Sequence, residues 1–354
     1  MIKNRVFSKE YVLEIKEKYR VDPSILERAI YALGLVEALV TSGLEFIFKG
    51  GSSLMIMLER PLRLSTDVDI IVDPKTDIIA AIEKASVIYP FLRYEEDERK
   101  TTNNIKKRHF VFYYKSIWKE DKETPILLDV LFEDNHYPNL LRKEVKTEFV
   151  ETKGENVFVN IPTPESLLGD KLTAFAPKTI GIRPITEKDS GKIIDKRVET
   201  IKQFFDVASL FDVVTDFEQV KRAYIETAKT ELGYRDIGNL SYKDCLKDTY
   251  EAALSIISKG RYLPNDYVYY LDGIRGLTNF LINVRFNAET AYIQASKVMY
   301  LCACFLANKY PVEIEEIENL VDADYAKNIN NIRKIDLKSF NMAARAIKLF
   351  KESI

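Results

Sequence analysis

The pattern of apolar and polar positions changes character part-way along the chain. In the first part, helical and strand spacings are interleaved. Asp22-Pro23-Ser24 reads as a helix start, since proline suits the first turn, where an N–H would be unpaired anyway. Ile25, Ala29, Ala32, Leu33, Val36 and Leu39 then recur at helical spacing, and Gly43 supplies a stop. Residues 45–48 form a short apolar run that breaks at Gly50-Gly51, as a strand does on entering a turn, and 52–58 leave that turn as a short helix. Residues 69–72 read as a buried strand closed by Asp73-Pro74, and 77–88 as a helix. Further strands are expected over 91–94, 109–114 and 126–132. An edge strand is expected over 157–161, because Pro162 and Pro164 stop ladder pairing there.

Beyond Pro164 only helical spacing remains, over 165–175, 193–211, 217–232, 242–258, 267–284 and 288–309. The pattern therefore predicts an α+β protein, with a mixed sheet flanked by helices over 1–163 and a helical bundle over 164–354. The loop 178–192 holds Gly181, Pro184 and Gly191 and is the segment best suited to be mobile.

Composition narrows this picture without redirecting it. A chain of 354 residues with 46% hydrophobic and 30% charged residues has ample material for a soluble core. A formal net charge of -2 argues against a protein that coats nucleic acid non-specifically, yet it leaves room for a local basic cleft. Cys245, Cys302 and Cys304 fit neither a disulfide framework nor a zinc pattern and read as buried free thiols, which suits a reducing cytoplasm. The apolar stretch 298–306 is too short to span a bilayer, and the first ten residues lack the apolar segment of a secretory signal. No membrane association is expected. Arg99, Lys100, Lys106, Lys107 and Arg108 flank a polar tip, as in a basic hairpin that steers RNA or a triphosphate or is simply solvated. The stretch 178–202 is also net basic and would suit an RNA backbone. His109 and His136 have no ligand spacing and read as satisfied or exposed side chains.

The chemistry concentrates between residues 50 and 69. A glycine turn running into a helix brings backbone N–H groups and a favourable dipole to a phosphate, so Gly50 and Gly51 are candidate nucleotide-binding residues. Ser52 adds a hydroxyl donor, and Ser65 stands just before the acidic pair. Asp67 and Asp69 are two apart and project to one face of a strand, where mutual repulsion is offset by a cation or a basic partner. Asp129 is the one acid in the apolar run 125–132, expensive to bury unless paired or metal-bound. Asp67, Asp69 and Asp129 together make a candidate site for a hard divalent ion, Mg²⁺ or alternatively Mn²⁺. A buried Asp bonded only to backbone is the competing reading of Asp129.

These motifs resemble a known family. The segment Phe48-Lys49-Gly50-Gly51-Ser52-Ser53-Leu54, followed by Arg63-Leu64-Ser65-Thr66-Asp67-Val68-Asp69-Ile70, resembles the nucleotidyltransferase signature of the AbiEii/AbiGii toxins, within the polymerase-β superfamily. The helix over 164–175 resembles the family's lysine-bearing element, with Lys171 at that position. Residues 203–210 resemble its Lys-Asp-x-x-Asp-Leu element, with Asp206 at the second Asp. The match departs at Gln203, where the family commonly has an acid. The resemblance spans about residues 30–215. It implies a polymerase-β-type fold and the toxin arm of a type IV toxin–antitoxin or abortive-infection system, with a cognate antitoxin as partner. It also implies transfer of a nucleotide from an NTP to RNA, in some relatives the acceptor end of tRNA. Asp67 and Asp69 would hold Mg²⁺, Lys171 would contact the triphosphate, and Asp206 would complete a catalytic set to which the helical part contributes.

Three readings stay open at this level. One is a toxin-like enzyme acting on RNA. A second is a small-molecule nucleotidyltransferase of the antibiotic-modifying kind, which an apolar or acidic acceptor pocket would favour. The third is a non-catalytic nucleotide-binding module, against which the set of Asp67, Asp69, Asp129 and Lys171 argues.

Overall fold

Asp22 caps its helix as the sequence predicts. Its carboxylate accepts hydrogen bonds from the backbone N–H groups of Ser24 and Ile25 at 2.9 and 3.0 Å, with Pro23 in the first turn. This is seen in a computed structural model that describes the chain except for residues 98–106, 119–121, 188–189, 236, 315–328, 331 and 354. Two compact units divide the chain, Met1–Thr163 with Asn279–Val284, and Pro164–Thr278 with Arg285–Ile354.

The first unit carries helices α1 (Lys9–Tyr19), α2 (Pro23–Thr41), α3 (Gly50–Met57) and α4 (Ile79–Ser86). Its strands are β1 (Ile47–Lys49), β2 (Val68–Val72), β3 (Phe91–Glu96), β4 (Lys107–Lys115), β5 (Glu123–Phe132), β6 (Leu140–Glu144) and β7 (Phe158–Pro162). They form one seven-stranded sheet in the order β3-β4-β5-β2-β1-β7-β6. The β2–β5 and β1–β7 pairs are parallel and the rest antiparallel. Strand alternation sorts the side chains by face. Val68 and Ile70, Ile126, Leu128 and Val130, and Phe110, Phe112 and Tyr114 are buried on one face, where Tyr31 of α2 stacks on Tyr114 at 3.6 Å between ring centroids. The opposite face carries a smaller apolar cluster of Ile47, Ile71 and Tyr137, with Leu131 and Leu140 packed against it.

Several sequence expectations change here. The strand expected at an edge over 157–161 is β7, which lies inside the sheet because β6 pairs with its free side. Pro162 closes β7 and is matched to Leu140 at the end of the ladder, where little pairing remains to be lost. The tip of the basic hairpin lies outside the described residues. Arg108 belongs to β4 and pairs with Glu96 at 2.6 Å, so it is not a free cation.

The second unit is helical: α5 (Pro164–Ala174), α6 (Arg197–Phe211), α7 (Phe217–Tyr234), α8 (Tyr242–Ile257), α9 (Pro264–Leu277), α10 (Ala288–Leu306) and α11 (Leu337–Ser353). Helix α5 packs on α6 and α7, and α10 packs on α6, α8 and α11. The expected loop at 178–192 instead contributes a strand, β8 (Ile185–Glu187), to a two-stranded ladder. Its partner β9 (Ile193–Asp195) occupies the start of the helix expected over 193–211. The helix expected over 267–284 stops at Leu277, and Asn279–Val284 joins the first unit. There Leu64 donates its N–H to the Phe280 carbonyl at 2.7 Å and Ile282 to the Leu62 carbonyl at 3.0 Å. All three cysteines are buried free thiols, and among the described residues no helix is long and apolar enough to cross a membrane.

Candidate active site

Gly50 opens α3 at φ +75°, the left-handed region in which a side chain is strained, and a Cβ there would collide with the Asp69 carboxylate. A Cβ on Gly51 would stand 2.7 Å from an Arg63 guanidinium nitrogen and 2.8 Å from Ser65 Oγ. The two glycines thus let Asp69, Arg63 and Ser65 approach the first turn of α3. Arg63 is buried and also donates to the Leu64 carbonyl at 3.0 Å. The unpaired N–H groups of a helix start and a neighbouring guanidinium favour an anion at this turn. Ser52 is fully buried and gives its hydroxyl hydrogen to the Asp67 carbonyl, so it ties the turn to the strand that carries the acids.

Strand register assembles the charged groups. Asp69 on β2 is paired with Lys49 on β1 and with Asp129 on β5, and Asp129 is paired with His109 on β4. Cross-strand partners share a face, so Lys49, Asp69, Asp129 and His109 form one row across four strands. Asp67 stands just ahead of β2, with Arg28 of α2 at 3.7 Å from its Oδ1. His109 Nδ1 lies 2.7 Å from Asp129 Oδ1. The burial expected of Asp129 from its apolar run is not observed: its side chain is 48% exposed. The run Ile126-Leu127-Leu128-Asp129-Val130 alternates, and only Ile126, Leu128 and Val130 face the core.

The acids present fit a divalent cation by chemistry, since all three are hard oxygen donors and Asp67 and Asp129 are half-exposed. Among the described residues, however, no three metal-ligating side chains are already gathered around one point.

Lys171 on α5 and Asp206 on α6 are both buried, with Nζ 3.1 Å from Oδ2. Lys171 also donates to Gln203 Oε1 at 2.9 Å. Gln203 and Asp206 are one helical turn apart, so both reach the same ammonium. Gln203 is a neutral acceptor, so the carboxylate facing Lys171 here is that of Asp206.

Arg28 was not singled out from sequence, and His109 was read there as a satisfied or exposed side chain, which its bond to Asp129 makes a satisfied one. The pairing of β4 with β5 carried the signal for His109, because the register fixes which residues oppose each other. For Arg28 there was none, since it flanks the apolar stripe of α2 like any surface arginine.

A glycine turn at a helix start, opening onto carboxylates paired across adjacent strands of a mixed sheet, is the arrangement of a nucleotidyltransferase. The sequence profile described as nucleotidyl transferase AbiEii toxin of type IV toxin–antitoxin systems matches residues 35–272, more than half of the chain. The chain belongs to this AbiEii family. It is thus a nucleotidyltransferase of a toxin family whose chemistry uses an NTP and usually a divalent metal. The match runs through α6 to α9, well past the motifs legible in the sequence. No curated protein matches the chain.

Proposed function

We propose that this protein is the toxin of a type IV pair and transfers a nucleotide from an NTP to RNA, tRNA foremost, in a Mg²⁺-dependent reaction. The carrying observation is the register pairing of Asp69 with Asp129 beside the Gly50-Gly51 turn. Asp67, Asp69 and Asp129 would hold the ion, which supplies charge neutralisation on the triphosphate. The N–H groups at Gly50, Gly51 and Ser52 bind phosphate oxygens, and Ser65 Oγ faces the same turn. Lys171 has two of its three N–H groups committed to Gln203 and Asp206, and by the family resemblance it would contact the triphosphate with the third. Asp206 orients it. An acceptor hydroxyl oxygen then bonds to the α-phosphorus as the bond to pyrophosphate breaks.

An RNA acceptor is supported by the family's toxic role, because capping the end of tRNA blocks translation. A cognate antitoxin would restrain it, and three free thiols suit a cytoplasmic setting. The test is incubation with Mg²⁺, each labelled NTP and total tRNA. Label enters tRNA with the native chain and vanishes with Asp67→Ala and Lys171→Ala. NTP binding without transfer to any RNA overturns the reading.

A further inference from the structure

Within the second unit, a cleft of about 480 Å³ lies beside the β8–β9 hairpin. Its walls include Lys178, Arg183, Glu187, Asp266 and Tyr269. The volume falls within the ~300–1,000 Å³ range of small-ligand pockets. The cleft is built rather than incidental. Buried Asp248 accepts from the N–H groups of Lys178 and Thr179 and from the Thr179 hydroxyl, each at 2.8 Å, which fixes the turn after α5. Lys178 is held to Asp266 at 2.9 Å. Thr200 at the start of α6 donates to the Ile182 carbonyl at 3.0 Å and secures the chain just before Arg183.

Against that fixed frame, two side chains are available. Tyr269 is 39% exposed, and Arg183 is exposed. Neither has a hydrogen bond or ion pair among the described residues. Two cations and two carboxylates leave the lining formally neutral, a poor match for a bare phosphate. A nucleotide suits all of it: its base stacks on the Tyr269 ring, its phosphate takes the Arg183 guanidinium, and a base amino group donates to Glu187 or Asp266.

We propose that this cleft is a nucleotide subsite, occupied by one unit of a single-stranded RNA. The proposal rests on the RNA-acceptor reading above and assigns the helical unit a part in holding that acceptor. The cleft follows directly in the chain from α5, which carries Lys171.

Fluorescence anisotropy of a labelled eight-nucleotide single-stranded RNA, with the full chain carrying Asp67→Ala to prevent turnover, reads the subsite. Tyr269→Ala or Arg183→Ala in that background weakens RNA binding roughly ten-fold, within the range of one lost base stack. Val268→Ala, on the exposed neighbouring position, serves as the control. In a chain without Asp67→Ala, Tyr269→Ala raises KM for RNA and leaves NTP affinity, measured without RNA, as it was. Competition by free cytidine monophosphate separates the two sources of a nucleotide. Displacement of RNA only at much higher concentration supports a strand subsite, and equal potency with the RNA overturns it in favour of a free nucleotide. If the native chain extends RNA and both variants bind it as tightly as their parent, the subsite falls and the RNA-acceptor reading stands. If no RNA is bound or extended at all, the RNA-acceptor reading falls and takes the subsite with it.

Discussion

The two charged clusters of this enzyme are built in opposite ways. On the sheet, Asp67 and Asp129 are half-exposed and lean on Arg28 and His109 through contacts that water can replace. Among the helices, Lys171 and Asp206 retain 7% and 2% of their side-chain exposure, and Gln203 completes the set. An open cluster costs the fold little and leaves its oxygens free for a ligand. A sealed one is fixed before any ligand arrives, and losing either member strands a charge away from water. Activity and stability should therefore respond differently at the two places.

The largest difference is expected in turnover. Asp67→Ala or Asp69→Ala removes several kcal/mol of transition-state charge stabilisation, so nucleotide transfer drops about a thousand-fold or more. For half-exposed Asp67, the unfolding midpoint in urea moves by no more than about 0.5 kcal/mol equivalent. A shift several times larger would show that the open cluster is part of the fold.

Next comes the sealed pair. Asp206→Ala leaves the Lys171 ammonium buried opposite only Gln203, and stability falls by about 3–5 kcal/mol. Replacing both, Lys171→Met with Asp206→Leu, restores most of that stability while transfer stays lost. If the double variant is as unstable as the single one, the pair is needed for packing and not merely to cancel charge.

A smaller effect is expected at His109. His109→Ala releases Asp129 to rotate, and transfer falls about ten-fold, or roughly 1.4 kcal/mol. His109→Gln, which can still donate to Asp129, recovers part of it. Equal losses in both variants would mean that the hydrogen bond is not what matters.

The smallest effect is a pH dependence in the helical unit. Burial raises the Asp248 carboxyl above its ordinary range, with three hydrogen-bond donors opposing the shift. A carboxyl raised in the folded state favours folding when protonated. This contribution is fully present below the unfolded-state pKa and is lost as pH rises through the folded one. Thermal midpoints of the native chain and Asp248→Asn, followed across the acidic range, differ in slope with that sign. Parallel curves would place the titration elsewhere.

How much of this was legible in the sequence depended on whether the signal was local. The Gly50-Gly51 turn, the strand after Asp67 and the helix after Asp22 are written in adjacent residues, because glycine φ, strand alternation and N-capping act over a few positions. The exposure of Asp129 was misjudged because an apolar run looks buried on both sides. In fact Leu127 and Leu131 share its half-exposed face, where Leu131 packs against the Tyr137 cluster, a partner that only the fold supplies. Lys171 and Gln203 are far apart in the chain, and their contact depends on how α5 meets α6. Strand β6 is short and of mixed character, with Arg142, Lys143 and Glu144 in five residues, and it holds as a strand through pairing with β7.

The return of Asn279–Val284 to the sheet unit has a consequence for biosynthesis. The backbone partners of Leu62 and Leu64, just ahead of Asp67, come from Phe280 and Ile282. While a ribosome is still making the helical unit, those partners have not yet emerged, so the loop before the acids lacks these two backbone bonds until residue 282 is in place. A nascent chain of a toxin family is thus denied these two bonds until residue 282 has been made. Release of a shortened product ending at residue 163 would yield a sheet missing that closure.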